Sequence, residues 1–176
     1  MSIFVRRMVG AAKLNATIYE EIEADAGSTR QAMAVVCLSA VAAAIGRIGH
    51  GGVRGPVIGL LAALLGWFVW ALLTWFIGTK ILPEAQTEAS PGQFLRTTGF
   101  STSPGVFRAF GFIPVLGDVI SFAASVWMLA SMVVAVRQTL DYKGTGRAVA
   151  VCLIGLLIPL TVIVVCVSYL LTAHGD

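Results

Sequence analysis

The sequence predicts an all-α integral membrane protein: a five-helix bundle with an N-terminal amphipathic cytoplasmic segment and a Pro-kinked third helix. Three observations carry this. The 176 residues are 57% hydrophobic and 12% charged, with mean hydropathy +0.88, whereas soluble domains carry about 25% charged residues. The 12 Lys and Arg with 9 Asp and Glu cannot cover a water-facing surface of this size, so most of the surface must face lipid. Long uncharged runs alternate with short polar stretches, and at about 20 residues per spanning helix the chain has room for about five crossings. Residues 1–30 form the cytoplasmic segment and 31–172 the membrane domain.

In residues 1–30, Phe4, Met8, Ala11 or Ala12 and Ile18 recur near helical spacing with Arg6, Arg7 and Lys13 between them. That pattern suits a helix lying on an anionic membrane surface. A signal peptide needs an apolar stretch of about 7 to 15 residues; Arg6, Arg7, Lys13 and Asn15 interrupt every candidate, so this segment is expected to be retained. Glu20, Glu21, Glu23 and Asp25 then reverse the sign, either as a solvated helix end or as a docking patch.

Ser28 and Gln31 have the spacing of a capping box, which starts the first span, 31–48. Its Ala and Ser positions let a neighbouring backbone approach closely. Gly49, Gly51 and Gly52 around His50 make a turn, with Pro56 suited to the first position of the next helix. The second span, 57–79, is uncharged and ends near Trp75, a residue type favoured at the membrane interface. After a polar connection, Ser90-Pro91-Gly92-Gln93 again starts a helix.

The third span, 94–115, is mixed in character, and Pro104 removes one backbone hydrogen bond and kinks or breaks it. Pro114 lies in a tight turn, and Asp118 suits the N-cap of the fourth span, 119–136. A polar loop at 141–146 precedes the last span, 148–171. Counting Lys and Arg by side tests the doubtful third span, because short cytoplasmic loops hold the excess. With it, nine lie inside (Arg6, Arg7, Lys13, Arg30, Lys80, Arg96, Arg137, Lys143, Arg147) against Arg47 and Arg54 outside; without it the division is seven to five. Five crossings put the N-terminus in the cytoplasm and Asp176 on the far side, in a bacterial plasma (inner) membrane. Arg108, costing roughly 2.5 to 3.5 kcal/mol at a helix centre, must snorkel or find a partner.

Cys37, Cys152 and Cys166 lie in apolar runs without a CxxC pair, which makes them small core or lipid-facing residues. The basic residues form no stripe with interleaved aromatics, so no nucleic acid partner is expected. No HExxH, GxSxG or P-loop pattern occurs, and Ser103 has no basic partner in reach. No enzyme activity, catalytic residue, cofactor or metal is therefore expected. Arg96, Thr97, Ser101, Ser103, Pro104, Arg108 and Asp118 are candidate polar residues within the membrane. They either line a solute path or satisfy a kinked backbone. Ala40 with Ala44, Ala62 with Gly66, Ser121 with Ser125 and Ser131 with Ala135 are small pairs on single helix faces, permitting close packing or self-association.

The run Thr17-Ile18-Tyr19-Glu20-Glu21-Ile22-Glu23-Ala24-Asp25, the run Phe94-Leu95-Arg96-Thr97-Thr98-Gly99-Phe100 leading to Pro104, and Ile113-Pro114 before Trp127 occur in a telling order. With Val134-Ala135-Val136-Arg137-Gln138-Thr139-Leu140-Asp141-Tyr142 and Arg147-Ala148, this order resembles the Yip1 family, in particular its short prokaryotic members, over most of residues 17 to 155. The resemblance implies a five-helix membrane domain with a cytoplasmic N-terminus. It also implies a non-enzymatic scaffold for membrane proteins or lipids; eukaryotic relatives bind Rab-type GTPases in vesicle trafficking. This chain shows neither their long N-terminal extension nor an Asp-Leu-Tyr-Gly-Pro motif, so GTPase binding is not carried over. Expected partners are membrane lipids and other membrane proteins or a second copy. The contact surface is residues 1–30 with loops 80–93 and 137–147, its candidates being Tyr19, Glu20, Glu21, Asp25, Arg137, Asp141 and Tyr142. The alternative is a small channel or transporter using the polar third helix.

Overall fold

The computed structural model describes residues 1–47 and 54–173, and every element among them is helical. The glycine turn with His50 and the tail with His174 lie outside the described residues, as does the side chain of Cys166. Seven α-helices follow in order: α1 (Ile3–Ala12), α2 (Ala16–Ala24), α3 (Ser28–Gly46), α4 (Arg54–Phe76), α5 (Pro91–Phe100), α6 (Leu116–Thr139) and α7 (Thr145–Ala173). A π-helical stretch, Ile77–Ile81, prolongs α4, and a 3-10 stretch, Ser103–Phe112, follows α5.

The N-terminal segment is a helical hairpin and not one continuous helix. Leu14 takes a left-handed φ of 59°, and the Asn15 side chain accepts from the Thr17 N–H at 3.0 Å to cap α2. An Asn cap meets an unsatisfied donor at a helix start, as Ser or Asp would. The hairpin closes on Arg7, which donates to Glu21 (2.9 Å) and Asp25 (2.8 Å). It is fastened to the bundle by the Tyr19 hydroxyl at Ser131 Oγ (2.8 Å) and by Trp127 Nε1 donating to the Ala12 carbonyl (2.7 Å).

Two expected caps are replaced. At α3 the capping box does not form: the Ser28 hydroxyl donates to the Ile22 carbonyl (2.9 Å) and Gln31 accepts from Arg7, because the tight α2–α3 connection engages both side chains. Helix α6 starts at Leu116 after Val115, which has a φ of 68°, so Asp118 lies in the first turn and is not its cap. Its charge there still complements the positive helix end. At α5 the box is complete, with Ser90 and Gln93 bonded reciprocally.

The segment expected as one kinked helix, 94–115, is α5 followed by the 3-10 stretch. The residue before a proline avoids the α conformation, and Pro104 lies in the first turn of the 3-10 stretch, where its missing N–H is least costly. Hydroxyls on both sides of the break satisfy carbonyls: Ser101 donates to Thr98, Thr102 to Gly99 and Ser103 to Phe100, at 2.6 to 2.7 Å.

Close contacts give the directions of the helices. Gly99 packs on Ala32, Gly105 on Ser39 and Gly111 on Gly46, so α5 and the 3-10 stretch run parallel to α3 along its length. Helix α6 returns antiparallel, pairing Thr139 with Thr97, Met128 with Gly105, Ser125 with Arg108 and Ser121 with Gly111. Gly155 packs on Thr74 while Gly78 meets Leu140 and Tyr142, so α7 runs antiparallel to α4. One end of the bundle, called near, therefore gathers the C-terminal half of α2, the 82–90 connection and the 140–144 loop. The far end gathers the C-terminus of α3 and the 113–117 turn.

The burial pattern departs from that of a water-soluble bundle: hydroxyls share the apolar core and the exterior is apolar. Ser39, Thr74, Thr97, Thr98, Ser101, Ser131 and Thr139 are buried, while Ile58, Leu61, Leu65, Val119, Phe122, Leu153 and Leu160 are more than half exposed. Contiguous apolar surface on this scale demands an apolar surrounding. Three helices, Ser28–Gly46, Ile58–Ile81 and Leu116–Thr139, are long and apolar enough to cross a membrane.

Candidate functional site

Polar groups concentrate at three levels of the bundle. At the near end Glu84 ties two connections together, accepting from the Lys143 N–H (3.1 Å) and pairing with Arg147 (3.5 Å). Gln86 donates to the Asp141 carbonyl (2.8 Å), Thr87 to the Leu140 carbonyl (2.9 Å) and Tyr142 to the Gly78 carbonyl (2.9 Å). Helix α2 joins this platform where Gln138 meets Glu20 (3.2 Å), Gln93 meets Glu23 (3.1 Å) and Arg96 donates to the Glu23 carbonyl.

The sequence-derived contact candidates divide accordingly. Tyr19 and Tyr142 are buried fasteners, whereas Glu20 and Asp141 are exposed. Glu21 and Asp25 are occupied by Arg7, and Arg137 donates to the Tyr142 carbonyl (3.4 Å). The hydrogen bond from Arg7 holds the Asp25 carboxyl below its ordinary value, and the Lys143 backbone N–H does the same for Glu84. Burial acts oppositely on Glu23 and pushes its carboxyl up to about 7, with Asp141 adding and Arg96 opposing.

The middle level is a closed ladder of hydroxyls. Thr97 and Thr98 donate to carbonyls of the preceding turn, and the Thr139 hydroxyl meets that of Thr97 at 2.7 Å. Thr97, Ser101 and Ser103 are buried together with Pro104. At the far end a cavity of about 460 Å³ is lined by Arg47, Arg108, Asp118, Ser121, Phe122 and Ser125 with Ala43, Gly46 and Gly111. The candidate lining set is thus split over the three levels: Arg96 near, the hydroxyls and Pro104 in the middle, Arg108 and Asp118 far. Arg108 finds its partner in Ser125 Oγ at 2.8 Å. Arg47 reads from sequence only as a loop charge and Glu23 only as one of four acids forming a solvated helix end or a docking patch; Ser121 and Ser125 have a signal in their four-residue spacing. Among the described residues no cluster of metal-ligating side chains occurs.

An all-helical chain with buried hydroxyls, an apolar exterior and membrane-length helices is an integral membrane protein. The family model for the Yip1 domain matches residues 15–167, and the chain belongs to that family. No curated protein and no solved structure matches it.

Proposed function

We propose that this protein is a five-crossing scaffold that binds other membrane proteins through its near, cytoplasmic end, and that it has no catalytic activity. The observation that carries the reading is the near-end platform, where three separate parts of the chain are cross-linked by side-chain bonds into one polar surface carrying exposed Glu20 and Asp141. A fixed surface binds at a lower ordering cost than loose loops. The sequence count of basic residues, nine on this side of five crossings against two on the other, fits a cytoplasmic location in a bacterial inner membrane. The five crossings draw support from the parallel packing of α5 and the 3-10 stretch on α3. At roughly 1.5 Å per α-helical and 2.0 Å per 3-10 residue these two stretches reach about 35 Å, beyond a hydrocarbon core of about 30 Å.

A channel or carrier is less well supported, because the hydroxyls around the break donate to carbonyls within their own segment and leave no open lining at mid-depth. A photo-crosslinking residue at Glu20 or Asp141 in native membranes should yield discrete protein adducts, while one at Leu153 yields lipid. Lipid adducts alone at all three positions would refute the scaffold. Solute flux through proteoliposomes that changes on Arg108→Ala would put a carrier in its place.

A further inference from the structure

The far-end cavity collects charge that the described residues do not neutralise. Arg47 and Arg108 both line it and repel one another, and Asp118 is the acidic residue beside them. Among the described residues neither arginine has a carboxylate within ion-pair distance. The lining therefore carries a formal charge of two positive against one negative, a surplus of one. Arg108 is also held in position. Its Nη2 donates to Ser125 Oγ at 2.8 Å, and the Ser125 hydroxyl is itself committed to the Ser121 carbonyl at 2.6 Å. Among the described residues the remaining guanidinium N–H groups of Arg108 meet no acceptor.

The cavity is also shaped by close backbone packing. Gly46 lies against the Arg108 carbonyl and Gly111, and Gly117 against the Gly111 carbonyl, so a side chain at either Gly46 or Gly117 would collide with backbone. Beside the arginines stands Phe122, 72% exposed, with the exposed Val126 and Leu129 following on α6. Positions four and seven residues on share a helix face, so an apolar track leads away from the charged cavity.

We propose that this cavity binds the phosphodiester of an anionic phospholipid, with an acyl chain lying along Phe122, Val126 and Leu129. A phosphodiester carries one negative charge and offers paired acceptor oxygens to guanidinium forks, which matches the surplus. The apolar track selects a lipid over free phosphate. The inference rests on the five-crossing reading, which brings this end to the opposite interface.

Native mass spectrometry of the detergent-purified protein with added phosphatidylglycerol tests it, because binding in detergent does not depend on how the chain crosses a bilayer. Side-specific labelling of the two ends tests the crossings separately. One tightly held lipid is expected, with affinity about tenfold lower in Arg108→Gln and in Arg47→Gln, the loss of one charge-assisted contact, and unchanged in Lys143→Gln. Arg47 is exposed and makes no side-chain bond among the described residues, so that variant is expected to fold even if Arg108→Gln does not. Inorganic phosphate at millimolar concentration should leave the lipid bound. Retention of the lipid by the Arg47 variant, or its displacement by phosphate, would overturn the proposal.

Discussion

Glu23 sits where α2 meets α5 and the 140–144 loop, half-buried, with Asp141 and Glu20 of its own sign nearby and Arg96 opposing them. Its carboxyl is raised from an ordinary 4.5 to about 7. Between those values the folded protein keeps a proton that the unfolded chain has released. The stabilisation is complete at the acid side of this window and is lost as pH rises through about 7. Asp25 and Glu84 are shifted the opposite way and weaken the fold only below the ordinary carboxylate range. Thermal unfolding in detergent should therefore show Tm falling between pH 5 and 7.5, and Glu23→Gln should flatten that slope. An unchanged slope would mean that Glu23 titrates normally. This residue was legible only as one acid among four, since its burial comes from α5 and the 140–144 loop, each more than 60 positions away.

The α1–α2 hairpin illustrates what an element-level reading sees and misses. The helical spacing of Phe4, Met8 and Ile18 was in plain view, but its interruption depends on one left-handed residue, Leu14, and on the cap at Asn15. Asn before a run of helix formers is a start signal; the basic pattern around it favoured one continuous surface helix instead. Ser90 to Gln93 was readable because a capping box is local, whereas Ser28 and Gln31 had the same spacing and were recruited by Ile22 and Arg7. Arg7 is the hairpin's main tie, its side chain 4% exposed while Glu21 and Asp25 are 30% and 43% exposed. Solvent reaches the acidic partners, so losing these pairs costs well below what breaking a fully buried pair does. Arg7→Ala should thus release residues 1–27 to limited proteolysis while leaving a protected core from α3 onward. Equal protection in both proteins would show that Tyr19 and Trp127 alone hold the hairpin.

At the scale of the molecule, the all-helical membrane class was legible because lipid imposes a strong constraint on apolar length, and three helices meet it. What the pattern could not reveal is how a segment as polar as 94–115 lies among apolar helices. Its Arg, Ser and Thr side chains turn inward or to the ends, and Gly99, Gly105 and Gly111 seat it against α3, leaving Val106, Phe107, Phe110 and Phe112 outward. Contacts that long in sequence have no local signature. The same packing makes the crossing count testable without reference to any partner. With the native cysteines replaced, Glu88→Cys at the near end and Val115→Cys at the far end are both exposed positions. If α5 and the 3-10 stretch cross the bilayer, an impermeant maleimide added to intact cells should label Val115→Cys, and should reach Glu88→Cys only after the membrane is opened. An alkaline phosphatase fused after Asp176 should then be active, since α7 leaves the near end for the far one. Labelling of both cysteines from one side would leave 94–115 folded back on the inner face and return the charge count to its poorer seven-to-five division.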